Sequence, residues 1–149
     1  MTDTARFTTA VAAREFITGG NATVTLVSTK TGTRFTYKIR GNDEGVFFIS
    51  LLSGPDNETD YKYLGRLDAA GKLWIGRRVP KWGDIGKDAP SSLAFAWAWE
   101  RLAKGVLLDS LEIWHEGRCG RCSRKLTVPS SIESGFGPEC VNKIGASWS

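Results

Sequence analysis

The feature that most constrains this chain is a cluster of metal-binding residue types near its C-terminal end. All three cysteines of the 149 residues, and the only histidine, lie within 26 residues: His115, Cys119, Cys122 and Cys140. Their spacing is H-x3-C-x2-C-x17-C, and the first 114 residues contain neither residue type. A C-x2-C pair can place two thiolates on one tetrahedral ion, and a third cysteine with an imidazole completes the Cys3His set of structural zinc sites. The spacing therefore predicts one Zn²⁺ ion held by these four residues.

Other uses of the cysteines fit the spacing less well. A lone C-x2-C pair also serves as a redox dithiol, but such a motif needs neither a third cysteine nor a nearby histidine. Disulfides fit poorly because three cysteines leave one unpaired, and a chain of this length can build a core without them. His115 is the weakest of the four predicted ligands, since a carboxylate or a water molecule could take its place.

Composition bounds the class of protein. With 41% hydrophobic and 24% charged residues, the chain is expected to be one ordinary globular domain with a small appendage. No stretch approaches the roughly 20 apolar residues of a membrane span, and the first residues lack the pattern of a signal peptide. Reduced thiols without an export signal indicate a cytosolic protein. The formal charge of +4 mildly favours an anionic partner.

The residue pattern upstream of the cluster predicts an α+β domain. Alanine content and apolar spacing predict a helix over Ala10–Ile17 with Thr9 or Thr8 at its start. From Thr23 the apolar period becomes two, which predicts an antiparallel meander of about five short strands joined by tight turns. The predicted strands cover residues 23–28, 34–40, 46–52, 61–67 and 73–77.

One main helix, predicted over residues 90–104, is expected to pack on the apolar face of this sheet, because neither element can bury its own apolar side. Its many large side chains indicate burial along most of its circumference. Nine residues are predicted to be mostly inside: Leu26, Phe35, Tyr37, Phe47, Ile49, Leu64, Leu73, Phe95 and Trp99.

Residues 111–149 are predicted to form a zinc-binding module that follows the α+β domain of residues 1–110. A strand over residues 111–114 leads into the C-x2-C knuckle, and residues 124–129 form a short extended return. Pro138 begins a final helix with Cys140 in its first turn. A knuckle, a hairpin and a helix whose N-terminus donates a ligand form a treble-clef or zinc-ribbon type of arrangement.

The same stretch resembles a known family, the small zinc-finger proteins of bacteriophages and prophages called domain of unknown function 6011. The residues that carry the resemblance are 115–122, 124–126, Pro129, Ser131 and 135–140. Upstream, residues 20–26, 31–38, 52–57 and 88–92 also look like phage relatives of that family. The resemblance implies an origin in a phage or mobile element, the cytosol of a bacterial host, and zinc at Cys119, Cys122 and Cys140. It implies no activity.

Catalysis is not expected from this sequence. Four protein ligands leave zinc no open position for water, and no second histidine remains to act as a base. The zinc deaminase signature, H-x-E followed downstream by P-C-x-x-C, contains the same residue types in a different order along the chain. A metal-dependent nuclease uses acidic residues and a lysine, and the chain has these residue types at Asp56, Asp60 and Lys62. The two acids, however, fall in one predicted loop instead of on adjacent strands.

Basic residues give two functional hypotheses. They cluster around the knuckle and in the loop after the fifth strand, where a tryptophan accompanies them: Arg118, Arg121, Arg124 and Lys125, then Arg77, Arg78, Lys81 and Trp82. Arginine beside aromatic rings is a common way to grip phosphates, so the first hypothesis is a non-catalytic phage zinc-finger protein that binds nucleic acid. The second is a counter-defence inhibitor that blocks a bacterial protein, such as a CRISPR or other defence effector. Neither a membrane nor a small-molecule substrate is expected.

Overall fold

The computed structural model describes residues 6–54, 61–76, 84–107, 109–115 and 119–121. The elements in these residues are, in chain order, α1 (Ala10–Ile17), β1 (Asn21–Ser28), β2 (Arg34–Gly41), β3 (Phe47–Leu52), β4 (Tyr61–Leu67), β5 (Leu73–Ile75), α2 (Pro90–Ala103) and β6 (Leu111–His115). Every helix and strand predicted within these residues is present, and the α+β class is confirmed. The treble-clef or zinc-ribbon arrangement predicted after β6 lies outside the described residues.

The strands form one antiparallel sheet in the order β5-β4-β3-β2-β1-β6. β1 to β5 are the predicted meander, in which each strand pairs with the one before it. β6 then adds to the outer edge of β1, with Trp114 opposite Thr25. The described sheet therefore has six strands instead of about five, because the segment predicted to lead into the zinc cluster also joins the sheet. The division of the chain at residue 110 stays a prediction.

A short N-terminal segment runs along the outer side of β6. The amide N–H of Phe7 donates to the carbonyl oxygen of Ile113 at 2.9 Å, and Arg6 forms an isolated antiparallel bridge with Trp114. The Arg6 guanidinium also lies 3.6 Å from the carboxylate of Glu112. These contacts pair part of the backbone of β6, which would otherwise be an open sheet edge able to pair with another chain.

Local sequence explains where the first elements begin and end. The Thr9 hydroxyl accepts the amide N–H of Ala12 at 3.2 Å and so caps α1. Gly32, with φ +72, supplies the left-handed residue of the turn between β1 and β2. Across that hairpin the hydroxyls of Thr25 and Thr36 share a hydrogen bond of 2.8 Å, a cross-strand contact that favours this register.

The core lies between one face of the sheet and the two helices. The buried ring of Tyr37 meets Phe95 edge-on at 5.0 Å, and its hydroxyl donates to the carbonyl oxygen of Ser91 at 2.6 Å. Burial raises the pKa of the Tyr37 phenol well above its ordinary value. The indole N–H of Trp99 donates to the carbonyl oxygen of Gly71 at 2.9 Å. These contacts hold α2 on the sheet, as predicted.

The predicted core is largely correct. Six of the nine residues are buried: Leu26, Tyr37, Ile49, Leu64, Phe95 and Trp99. Phe35, Phe47 and Leu73 are partly buried and pack against that core, because they lie at or next to the first residue of their strands. The expectation that α2 is buried along most of its circumference is wrong, since Leu93 is exposed and Trp97 is 37% exposed.

At Gly65 the backbone of β5 lies too close to β4 to leave room for a side chain. A Cβ atom added there would overlap the carbonyl oxygen of Trp74 and lie 3.1 Å from the Cα of Ile75. Both neighbours are backbone atoms, so they can give way only if β5 itself moves. The position therefore requires glycine for close packing between strands.

We expect Gly65→Ala to lower the free energy of unfolding by about 1–3 kcal/mol, the usual range for overpacking. Urea denaturation followed by circular dichroism measures this. Gly86→Ala is the matched control, because no heavy atom lies within 4 Å of its added Cβ, and it should be neutral or stabilising by up to about 1 kcal/mol. Equal stability of the two variants would contradict the close approach.

Candidate metal centre

His115, a predicted zinc ligand, is the last residue of β6. It pairs with Val24 of β1, and its side chain is on the core side with only 2% exposed. The rings of Phe7 and Phe16 lie 5.4 and 5.5 Å from its imidazole, measured between centroids. These contacts restrict the orientation of the ring.

Cys119, the first cysteine of the C-x2-C pair, is fully buried and belongs to the hydrophobic core. It lies next to a tight turn in which the amide N–H of Arg121 donates to its Sγ atom at 3.4 Å. An N–H aimed at sulfur stabilises the thiolate, which is the form that binds metal. The backbone around Cys119 is therefore suited to present a sulfur ligand.

Asn21, the first residue of β1, fixes this turn to the sheet. Its backbone N–H donates to the carbonyl oxygen of Gly120 at 2.8 Å, and its side-chain Nδ2 donates to that of Arg121 at 2.7 Å. The second bond joins residues 100 positions apart in the chain. The C-x2-C pair consequently begins at a corner formed by the start of β1, the end of β6 and α1.

Sequence reasoning did not identify Asn21. An asparagine directly after two glycines indicates a turn. This local signal is a sufficient reason for asparagine at the position, so the sequence gives no indication of a contact with a distant residue. Its contact with the knuckle follows only from the register of β1 against β6, which begins at Val24 and His115 and brings the chain after β6 back toward the start of β1.

The structure places three of the predicted site residues at this corner: His115, Cys119 and Arg121, whose side chain is exposed. The other residues predicted for the metal site or for binding lie outside the described residues, and those predictions stand as made: Cys122, Cys140, Arg77, Arg78, Lys81, Trp82, Arg118, Arg124 and Lys125. Asp56 and Asp60 of the nuclease alternative also lie outside them.

The described residues define an α+β protein in which the first strand of the sheet holds a turn at residues 119–121. Residues 113–145 match the model of a family of unknown function, DUF6011, which confirms the resemblance to that family over this stretch. The match begins within β6 and includes all four predicted ligands. No curated protein and no solved structure matches the chain significantly. Within the described part, none of the helices has the length and apolar character to cross a membrane.

We expect Asn21→Ala to loosen the turn and expose Cys119. Loss of one hydrogen bond costs about 1 kcal/mol, so the Cys119 thiol of metal-free protein should react roughly five-fold faster with an alkylating reagent. Mass spectrometry of the labelled peptides measures that rate for each cysteine.

Asn42→Ala is the control for this experiment. The Asn42 Oδ1 atom accepts the amide N–H groups of Glu44 and Val46 at 2.9 and 3.0 Å in the turn between β2 and β3. Its loss should lower overall stability similarly without selective exposure of Cys119. Equal labelling rates in both variants would contradict the anchoring role of Asn21.

Proposed function

We propose that this chain is a phage-type zinc-binding protein that acts by binding nucleic acid and has no catalytic activity. The observation that carries the proposal is the turn at Cys119, in which a backbone N–H faces the sulfur and two hydrogen bonds from Asn21 hold the backbone. Such a turn presents a sulfur ligand and an exposed arginine from one rigid corner.

Zinc in this proposal is held by Cys119, Cys122 and Cys140 with His115 as the fourth ligand. Four protein donors fill a tetrahedral shell, so the ion would stabilise structure and would not activate water. Its effect would be to tie the residues after β6 to the buried corner of the sheet. A closed shell that also uses the lone histidine supports a binding role over catalysis.

The knuckle supplies the cations for nucleic acid. Arg118, Arg121, Arg124 and Lys125 are close together in sequence, and guanidinium groups bind phosphates in a bidentate manner. Because Asn21 holds the carbonyls of residues 120 and 121, the backbone that carries Arg121 is pre-organised. The order of this turn lowers the entropic cost of forming a phosphate contact.

The family resemblance supports the biological setting of the proposal. It points to a phage or mobile element, to the cytosol of a bacterial host, and to a treble-clef or zinc-ribbon fold for the residues after β6. The match at residues 113–145 includes all four proposed ligands and four proposed nucleic-acid contacts, Arg118, Arg121, Arg124 and Lys125.

A second candidate function is the binding of a bacterial protein, such as a defence effector. The observation in its favour is an apolar groove of about 480 Å³ between α2 and the β1–β2 end of the sheet, lined in part by Phe35, Leu93 and Trp97. Leu93 and Trp97 are both exposed there. Exposed apolar surface of this kind is typical of protein contacts.

Freshly purified protein is expected to contain about one zinc ion per chain, because the four ligands form one tetrahedral site. Cys119→Ser, Cys122→Ser and Cys140→Ser should each release the ion while the circular dichroism of the sheet persists. Metal analysis measures the stoichiometry. Zinc well below one per chain, with disulfide formation, would contradict the site, and full retention in His115→Ala would assign the fourth position to another ligand.

Nucleic-acid binding is expected to weaken steeply as salt is raised, with a slope of about 0.7–0.9 in log K against log salt for each contacted phosphate. A mobility shift with single- and double-stranded DNA and RNA measures this. The triple variant Arg118→Ala/Arg121→Ala/Arg124→Ala should lower both the affinity and the slope.

The control for that variant removes the same charge from the helical side of the molecule. The control replaces three basic residues around α2 with alanine: Lys87 before the helix, Arg101 near its end and Lys104 directly after it. This variant has the same net charge as the knuckle variant. Equal effects of the two variants would show that only total charge matters. Absence of any shift would leave the protein-binding function as the better candidate.

A further inference from the structure

One row of residues crosses the sheet from β1 to β5 on the face opposite the helices. Its successive register partners are Asn21, Arg40, Phe48, Arg66 and Trp74. We call this the cross-strand row. It alternates between cations and aromatic rings, begins at the asparagine that holds the C-x2-C turn, and crosses four strand spacings, or about 19 Å.

Burial of the chain neighbours shows which face the row occupies. Ile39, Ile49 and Leu67 are fully buried in the core. Each of them is adjacent in sequence to a residue of the row, and adjacent strand residues point to opposite faces. The row therefore lies on the face that the helices do not cover.

The two aromatic rings of the row are exposed. Phe48 exposes 40% of its surface and Trp74 exposes 42%. The Trp74 indole N–H donates to the Asp68 carboxylate at 3.0 Å, which fixes the orientation of the ring. This bond, together with the backbone amides of Lys72 and Ala70, lowers the pKa of the Asp68 carboxyl below its ordinary value, so the carboxylate is ionised and the contact is present at neutral pH.

Cations lie next to these rings. Both the Lys72 ammonium and the Arg66 guanidinium lie over the Trp74 ring, 4.3 and 5.5 Å from its centroid. In the register, Arg66 lies between Phe48 and Trp74, and Arg40 lies on the other side of Phe48. Each ring thus has an arginine one strand away.

Charge on the strands favours an anionic partner. The six described strands contain five basic residues and one acidic residue: Arg34, Lys38, Arg40, Lys62 and Arg66 against Glu112. The whole chain is much closer to balance, with 20 basic and 16 acidic residues. The acids are therefore concentrated outside the strands, and the sheet is more cationic than the net charge indicates.

We propose that this sheet face binds single-stranded nucleic acid, with bases stacked on Phe48 and Trp74 and phosphates bound by Arg40 and Arg66. Single strands offer both an unpaired base face and a phosphate, whereas a duplex hides the base faces from such rings. The inference goes beyond the proposed function because it assigns binding to a surface separate from the knuckle. It shares with that function only the class of partner.

Fluorescence anisotropy with the full chain tests the inference. The probes are labelled poly-dT and poly-rU of about 12 nucleotides, within the site sizes of single-strand binders, and a duplex of equal length. Phe48→Ala and Trp74→Ala should each weaken single-strand binding by roughly 5- to 100-fold. Arg66→Gln should reduce the slope of log K against log salt by about 0.7. The two single-stranded probes show whether DNA or RNA is preferred.

The helical layer offers a matched control. Trp97 exposes 37% of its surface and has the Arg101 guanidinium 4.1 Å from its ring centroid, so it repeats the tryptophan–arginine pair away from the row. Trp97→Ala should leave binding unchanged. Phe48→Leu keeps apolar surface on the strand but removes the aromatic face, and it should also weaken binding if stacking is the interaction.

The pattern of effects separates this inference from the knuckle proposal. Loss of affinity in the Phe48 and Trp74 variants, with binding intact in the knuckle triple variant, would support the sheet face and overturn the knuckle as the contact. The reverse pattern would overturn the sheet face and leave the knuckle. Preference for the duplex, equal loss in Trp97→Ala, or no binding of either single strand would also overturn the inference.

Discussion

The pairing of β1 with β6 is the interaction on which the rest of the structure depends. It adds the last described strand to the first one, brings His115 against Phe16 of α1, and places Asn21 beside the turn at Cys119. Contacts of such sequence separation carry a large loop-closure cost. Burial of Leu111 and Ile113 on the same strand helps to offset that cost. His115 and Cys119, the two candidate ligands within the described residues, are therefore buried at the edge of the sheet where β1 and β6 pair.

A β-bulge determines which residues share the face opposite the helices. Tyr63 and Arg66 are three positions apart, so strict alternation would put them on opposite faces of β4. The register shift between Ile49 and Ser50 lets Tyr63 pair with Ser50 while Arg66 pairs with Phe48. Leu64 takes up the extra position and is fully buried. The bulge thus keeps Arg66 in line between the two exposed aromatic rings, an example of a bulge that re-aims side chains.

Local patterns were sufficient to predict the described elements, because helix caps, alternation and turn glycines act over a few residues. Ligand spacing alone predicted His115 and Cys119 as zinc ligands, and the structure shows that both side chains are buried. The partner of β6, the contacts of Asn21 and the cross-strand row were not predictable in this way. The first two depend on pairing across most of the chain, and the row also depends on a bulge that alternation does not reveal. Trp97 shows the same limit, since its residue type indicated burial while Arg101 stacks on a ring that faces solvent.

The distribution of charge matters more here than its total. A formal charge of +4 indicates only weak attraction for anions, but charges are screened over about 8 Å at physiological salt. The Asp68 carboxylate in the turn after β4 accepts two backbone amides and an indole N–H, and it lies two strands away from Arg40 on β2. Arg40 and Arg66 act locally, next to Phe48. The row starts at Asn21, which also holds the backbone of Arg121, so the sheet face and the described turn at Cys119 meet at this one residue.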